Sequence, residues 1–201
     1  MRMRSLAGAL APAAALAVPA AAGPLEEGVD AYHAKEYAKA AELWRPLAEA
    51  GDAVAQYRLG TLYVEGKGVE QNDATAFMWM QRAATQGNAD AQYGVGASYI
   101  AGLGVEKNEA EAAKWFLRAA NQGMVYAQLN IGLLHASGTG VPQDDVEALK
   151  WLDLALFALP PGGARSDVSR AIVDVAAKMD YLQKLEAAQR ERAWKAKPET
   201  K

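Results

Sequence analysis

Apolar and small side chains recur along this chain at steps of three and four residues, the spacing of one face of an α-helix. From Asp73 to Gln86 the face carries Ala76, Trp79, Ala83 and Gln86, and from Asp52 to Glu65 the larger apolar contacts are Leu59, Leu62 and Tyr63. Between the two lies Gly66-Lys67-Gly68-Val69-Glu70-Gln71-Asn72. Its glycines can take the left-handed conformation that ends a helix and reverses the chain, and Val69 is placed to tuck under the turn. Asn72 stands where a side-chain oxygen can cap the first turn of the second helix. The pattern predicts a hairpin: helix A, a tight loop, helix B.

The hairpin recurs. Trp79, Trp115 and Trp151 are spaced 36 residues apart. Ala55-Gln56 returns as Ala91-Gln92 and Ala127-Gln128, Gly60 as Gly96 and Gly132, and Gly66-x-Gly68-Val69 as Gly102-x-Gly104-Val105 and Gly138-x-Gly140-Val141. Asn108 and Asp144 repeat the cap. A constant period of this length marks a solenoid, in which each pair of helices buries its apolar face only against its neighbours. A glycine inside helix A costs about 1 kcal/mol relative to alanine, so its return three times predicts a helix packed too close for a Cβ. Gly87 and Gly123 are placed to end helices B in left-handed conformation.

The repeats span 51–86, 87–122 and 123–158, with an all-α, right-handed solenoid of about ten helices as the expected fold. Residues 23–50 form an N-terminal helical hairpin that caps the array, from Leu25 to Ala34 and from about Glu36 to Ala50. Leu25, Val29, Tyr32 and His33 share a side of the first helix. Pro46 predicts a kink or an early end near Trp44 in the second. Residues 159–201 form the C-terminal cap. Pro160-Pro161-Gly162-Gly163 breaks the chain, helices follow at about Asp167–Met179 and Tyr181–Trp194, and Asp180-x-x-Gln183 resembles a capping box. Leu182 and Leu185 are the apolar residues of the last helix, and Lys195 to Lys201 is expected to fray.

Residues 1–22 follow another grammar. A basic start (Arg2, Arg4), an apolar run from Leu6 to Val18 interrupted by Pro12, and Ala20-Ala21-Ala22 have the three parts of a cleaved secretory signal. The run is short of the ~20 residues of a membrane span, so no stable membrane insertion is expected after cleavage, and the expected location is periplasmic or secreted. Losing Arg2 and Arg4 moves the net charge from −3 to −5. That acidity argues against nucleic acid as a partner, because phosphate binding needs clustered Lys and Arg. There is no cysteine, hence neither a disulfide nor attachment of a lipid through cysteine.

Together, the Ala-x-Gln helix A, Gly-x-Gly-Val, the Asn or Asp cap and Trp-x-x-x-Ala-Ala resemble Sel1-like repeats, relatives of tetratricopeptide repeats. The likeness is close over 51–158 and looser over 25–50. It departs at Gly94-Val95 and Asn130-Ile131, which replace Arg58-Leu59, at His135, which replaces Tyr63 and Tyr99, and at Leu156, which replaces Ala84 and Ala120. The resemblance implies a non-catalytic adaptor that binds a protein or peptide. Two other roles attach to it: a periplasmic regulatory subunit of a membrane sensor, and a hydrolase of peptide-like or β-lactam compounds. The second resembles a cysteine-rich branch, and this chain has no cysteine.

Candidate chemistry is sparse. His33 and His135 have no carboxylate at metal-ligand spacing, and no P-loop or His-Glu-x-x-His occurs. Gly-x-Gly lacks the preceding strand and the third glycine of a phosphate loop. The tryptophans are in phase with the alanines of helix B, as core residues are, and Trp115 in the central repeat is expected to be buried against both neighbours. Glu106, Glu109 and Glu111 form a solvated acidic cluster. No catalytic residue, metal or cofactor is expected. The candidate binding surface is the concave side of helices A, at positions that vary from copy to copy: Tyr57, Arg58, Thr61 and Glu65 in the first repeat, Asp90 and Tyr93 in the second, Tyr126 and Asn130 in the third. Charge-assisted donation by Arg58 and the amphipathic tyrosines suit a peptide or helical segment better than a polyanion.

Overall fold

The computed structural model describes residues 23–199. The expected secretory signal, residues 1–22, lies outside them. Ten helices follow one another: α1 (Pro24–His33), α2 (Tyr37–Glu49), α3 (Ala53–Glu65), α4 (Asp73–Thr85), α5 (Ala89–Ala101), α6 (Glu109–Asn121), α7 (Val125–Ser137), α8 (Asp145–Ala158), α9 (Gly163–Ala176) and α10 (Tyr181–Ala193). Among the described residues there is no strand. Each helix from α1 to α8 packs on the next, while α10 returns to α8. The result is an all-α solenoid in which α3, α5 and α7 are the helices A and α4, α6 and α8 the helices B.

Local chemistry accounts for the hairpins. Gly66, Gly102 and Gly138 end the helices A at φ of 63 to 71°. The second glycine of each loop also has positive φ, and it lies against the first turn of the preceding repeat's helix B: Gly104 against Asp73 and Ala74, Gly140 against Glu109 and Ala110. Gly68 sits in the same way on Tyr37 and Ala38 of α2. Asn72, Asn108 and Asp144 accept from the backbone N–H groups of Thr75, Glu111 and Glu147 at 2.8, 3.0 and 3.0 Å. Gly60, Gly96 and Gly132 face Met80, Phe116 and Leu152 of their own helix B; a Cβ on Gly96 would lie 2.7 Å from the Phe116 ring. Close approach within the hairpin is therefore what excludes a side chain there.

Three expectations are corrected. Helix α2 does not end near Trp44 but runs through Pro46 to Glu49. Trp44 itself is buried and donates Nε1–H to the Leu25 carbonyl at 3.1 Å, which ties α1 to α2. Trp115 is only half-buried, unlike Trp79 and Trp151, and the buried aromatic of α6 is its neighbour Phe116. The guanidinium of Arg118 covers the Trp115 ring at 4.6 Å. On α10, Leu182 and Leu185 are exposed, and the buried residue is Ala187.

The third concerns the C-terminal segment, which is docked rather than frayed as far as Glu199. The Lys197 backbone N–H donates to the Asn121 carbonyl at 2.7 Å, and the Arg118 guanidinium holds the Glu199 carboxylate at 2.6 Å.

At the C-terminal cap, helix α8 ends in buried Leu159 instead of a glycine, and Arg165 donates to the Leu159 carbonyl at 2.6 Å. Helix α9 starts at Gly163, earlier than the expected Asp167. Asp180 and Gln183 form the capping box of α10. Arg190 joins α10 to α8 through Glu147 at 2.6 Å and also pairs with Glu186 at 2.6 Å. Burial pushes the Glu147 carboxyl up, but its bonds to Lys150 and Arg190 outweigh that and hold it below the usual range. Asp153, also on α8, is pushed up to about 6 by burial and by the nearby Glu191 charge.

Candidate functional site

Helices A place their variable positions at the surface, between residues that serve the stack. Gln56, Leu59 and Gly60 of α3 point into the array, while Tyr57, Arg58 and Thr61 are partly accessible and Glu65 is exposed. The 3.6-residue turn makes that division. Three of these residues come together. Tyr57, Arg58 and Thr61 line one cleft with Tyr32 and Trp44 of the N-terminal hairpin, a volume of about 150 Å³. The Arg58 guanidinium lies over the Trp44 ring at 5.5 Å, a cation–π contact that fixes the arginine beside the opening. Thr61 donates its hydroxyl to the Tyr57 carbonyl at 3.1 Å. Burial, helped by the Asp90 charge from the next helix A, pushes the Tyr57 phenol above its ordinary value. Asp90 is thereby tied to the same part of the surface.

The other candidates lie further along. Tyr93 and Tyr126 approach across the second and third repeats at 6.4 Å between ring centroids, and Tyr93 also contacts the Phe116 ring at 5.6 Å. Asn130 donates one amide hydrogen back to the Tyr126 carbonyl at 2.9 Å, so half of its donor capacity is spent on its own helix. Glu65 stands at the loop end, where it accepts from the Tyr32 hydroxyl at 3.2 Å and pairs with Lys67 at 3.1 Å.

A second cleft on the same side was not legible as such. It lies between the first and second repeats, about 240 Å³, and is lined chiefly by apolar and small groups, among them Val64, Met80, Gly94, Ala97, Ala101 and Leu103. Its only sequence signal is that Gly94, Ala97 and Ala101 stand where Arg58, Thr61 and Glu65 stand one repeat earlier. A third cleft, again about 240 Å³, lies between α7 and α9 and is lined by Leu133, Ser137, Asp174 and Lys178 among others. The surface therefore changes along the array, from an aromatic, cationic cleft through an apolar one to a mixed one.

Neither histidine lines these clefts. His33 is exposed and His135 half-buried, and they stand on α1 and α7. Among the described residues no group of three His, Asp or Glu side chains is arranged to hold a metal. Among them too, no helix is long and apolar enough to cross a membrane.

Sequence reasoning also assigned no role to the recurring glutamines beyond marking the register. They form a buried ladder. Gln86 donates Nε2–H to the Gly51 carbonyl at 3.0 Å and to Gln56 Oε1 at 2.8 Å. Gln122 repeats this with Gly87 at 2.9 Å and Gln92 at 2.8 Å. Gln56 and Gln92 in turn donate to the Ala48 and Ala84 carbonyls at 3.0 and 3.2 Å. These bonds satisfy buried polar groups at the junctions between repeats. Their recurrence at a fixed place was the available signal.

Comparison with known proteins agrees with this architecture. The family model described as Sel1 repeat matches residues 53–88, 89–124 and 125–156. Among solved structures, a Sel1 repeat protein from Oxalobacter formigenes is 30% identical, with a TM-score of 0.66 over 82% of this chain and 74% of that one. The protein c5321, a protective antigen present in uropathogenic Escherichia coli strains and displaying an SLR fold, is 26% identical, with a TM-score of 0.55 over 84% of this chain. The match spans only 44% of c5321. No curated protein matches the chain. The matched repeats cover half of the chain and the fold is shared with solved members, so the chain belongs to the Sel1 repeat family.

Proposed function

We propose that this protein is an exported, non-catalytic scaffold that captures a protein or peptide segment on the concave, helix-A face of its repeats. Sel1-repeat proteins generally mediate protein–protein interaction, and their fold is typically a non-catalytic scaffold. The observation that carries the reading further is the row of clefts to which helices A contribute. Tyr57, Arg58 and Thr61 share one cleft with Trp44, and the next is apolar and lined by Met80, Ala97 and Leu103. A surface whose chemistry changes from repeat to repeat suits one non-repeating segment, with a carbonyl or carboxylate at Arg58 and an apolar side chain in the second cleft. Tyr93 and Tyr126 extend the surface with amphipathic rings. Export to the periplasm or outside the cell is the reading that the signal-like residues 1–22 support.

Crosslinking in the native host, followed by mass spectrometry, identifies the segment. A triple variant, Arg58→Ala with Tyr93→Ala and Tyr126→Ala, then keeps its helical content and loses at least about tenfold in affinity, or 1.4 kcal/mol. A folded triple variant that binds as tightly as the parent overturns the assignment of the surface. Export has its own readout, the mass of protein from the native host, which begins at Gly23. Protein that retains Met1 overturns that part of the reading.

A further inference from the structure

The docked C-terminal segment shows what one edge of the array can hold. In the second repeat the Glu199 carboxylate takes hydrogen bonds from Arg118 Nη2 at 2.6 Å, Arg118 Nε at 3.1 Å and Gln92 Nε2 at 2.8 Å. The Glu199 backbone N–H donates to Gln122 Oε1 at 3.1 Å, and the Lys197 N–H to the Asn121 carbonyl at 2.7 Å. Gly87 lets the segment lie close, because a Cβ there would come within 2.9 Å of the Glu199 Cβ. This is a forked guanidinium, a buried amide and two backbone contacts, the elements by which an extended chain bearing a carboxylate is recognised. Arg118 chiefly, and Gln92, hold the Glu199 carboxyl below its usual range, against a smaller opposing effect of burial.

The first repeat carries the same parts. Gly51, Gln56, Arg82 and Gln86 stand 36 residues before Gly87, Gln92, Arg118 and Gln122. Arg82 lies over Trp79 at 4.7 Å as Arg118 lies over Trp115 at 4.6 Å. Gln86 makes the same two bonds as Gln122. The difference is occupancy: apart from its chain neighbours, no described residue lies within 4 Å of a Cβ built on Gly51. Buried Gln56 spends one amide hydrogen on Ala48, and its second meets no acceptor among the described residues, where the second hydrogen of Gln92 meets Glu199. In the third repeat Leu154 and Ala158 stand in place of the arginine and the second glutamine. There the segment packs Trp194 on Trp151, at 6.1 Å between ring centroids.

We propose that this repeat edge is a recognition site for a single carboxylate side chain carried by an extended peptide segment. The chain's own residues 195–199 fill it in the second repeat, and the first repeat offers the same site to a partner protein's Asp or Glu. It lies apart from the helix-A clefts and is a second docking surface.

The test uses the full-length protein and a labelled peptide with the sequence of residues 195–201, followed by fluorescence anisotropy and titrated to saturation. The parent protein binds one peptide. Glu199→Gln frees the second copy and raises the stoichiometry to two, and adding Arg118→Ala returns it to one. Arg82→Ala abolishes binding to the parent. Glutamine in place of the glutamate of the peptide weakens binding at least tenfold with no change in the protein, so a misfolded variant cannot decide the outcome. No saturable binding below about 1 mM, the weak end of useful recognition, overturns the proposal. So does equal binding of the glutamine peptide, or full binding by a folded Arg82→Ala protein. A stoichiometry that stays at one in Glu199→Gln overturns the role of the C-terminal segment as occupant. The Arg58, Tyr93 and Tyr126 triple variant keeps this binding, which separates the two surfaces.

Discussion

Gly102 and Gly104 look equivalent in the Gly-x-Gly loop, and the structure separates them. Both have positive φ, 71° and 69°. Alanine at either therefore takes on the left-handed conformation at a cost of about 1–2 kcal/mol. Their surroundings differ. A Cβ on Gly102 meets nothing closer than the Lys107 Cβ at 3.7 Å, ordinary van der Waals contact. A Cβ on Gly104 would sit inside the backbone of α4, against Asp73 and 2.8 Å from the Ala74 nitrogen. Backbone in a helix cannot rotate away as a side chain can, so the loop must lift from the helix it seals. Overpacking of this kind adds about 1–3 kcal/mol. Gly102→Ala is thus expected to cost about 1–2 kcal/mol and Gly104→Ala about 2–5. For a chain of this size 1 kcal/mol is about 2–4 °C in Tm, so the second variant melts at least about 2 °C below the first. Urea unfolding followed by far-ultraviolet circular dichroism measures both. The paired design cancels the shared conformational cost and leaves the contact between repeats. Equal losses, or a greater loss at Gly102, refute the reasoning that the loop of one repeat is seated on helix B of the last.

Trp151→Ala is expected to cost about 3–5 kcal/mol, because the side chain is only 1% exposed. Trp115→Ala should cost at least about 1 kcal/mol less, since half-exposed area contributes less; matched losses in chemical denaturation sink that ranking. Asp153 makes a prediction with pH. Its folded-state carboxyl titrates near 6 against an ordinary 3.8, so the folded chain holds this proton more tightly than the unfolded chain does. Its contribution is most favourable below pH 3.8 and is lost as pH rises through about 6. Asp153→Asn should flatten the dependence of Tm on pH across that window and raise Tm at neutral pH; a parental slope in the variant counts against it.

The solenoid was legible because its instructions are local and repeated. A cap such as Asn108, a glycine such as Gly102 and a face such as Ala76-Trp79-Ala83 each act over a few residues, and three copies in register made them unmistakable. Gly60, Gly96 and Gly132 even announced a close helix, though only the fold identified Met80, Phe116 and Leu152 as the reason. The candidate surface was legible in part, because helical phase alone separates Tyr57, Arg58 and Thr61 from Gln56 and Leu59. Their cleft needs Tyr32 and Trp44 from another hairpin, and no local pattern reports such a meeting. Trp115 shares its repeat position with Trp79 and Trp151, yet its burial depends on what the next helices bring against it. The segment after Trp194 has no helical period, so by pattern it reads as loose. Its order comes from Arg118 and Gln92, distant in sequence and brought beside Glu199 only by the stacking of repeats. Sequence by itself determined the hairpins, since caps, turns and periodicity are neighbour effects. Tertiary structure decided which tryptophan is left half-buried, where the clefts open and what the chain's last described residues bind, because each of those follows from surfaces that meet only after the repeats have stacked.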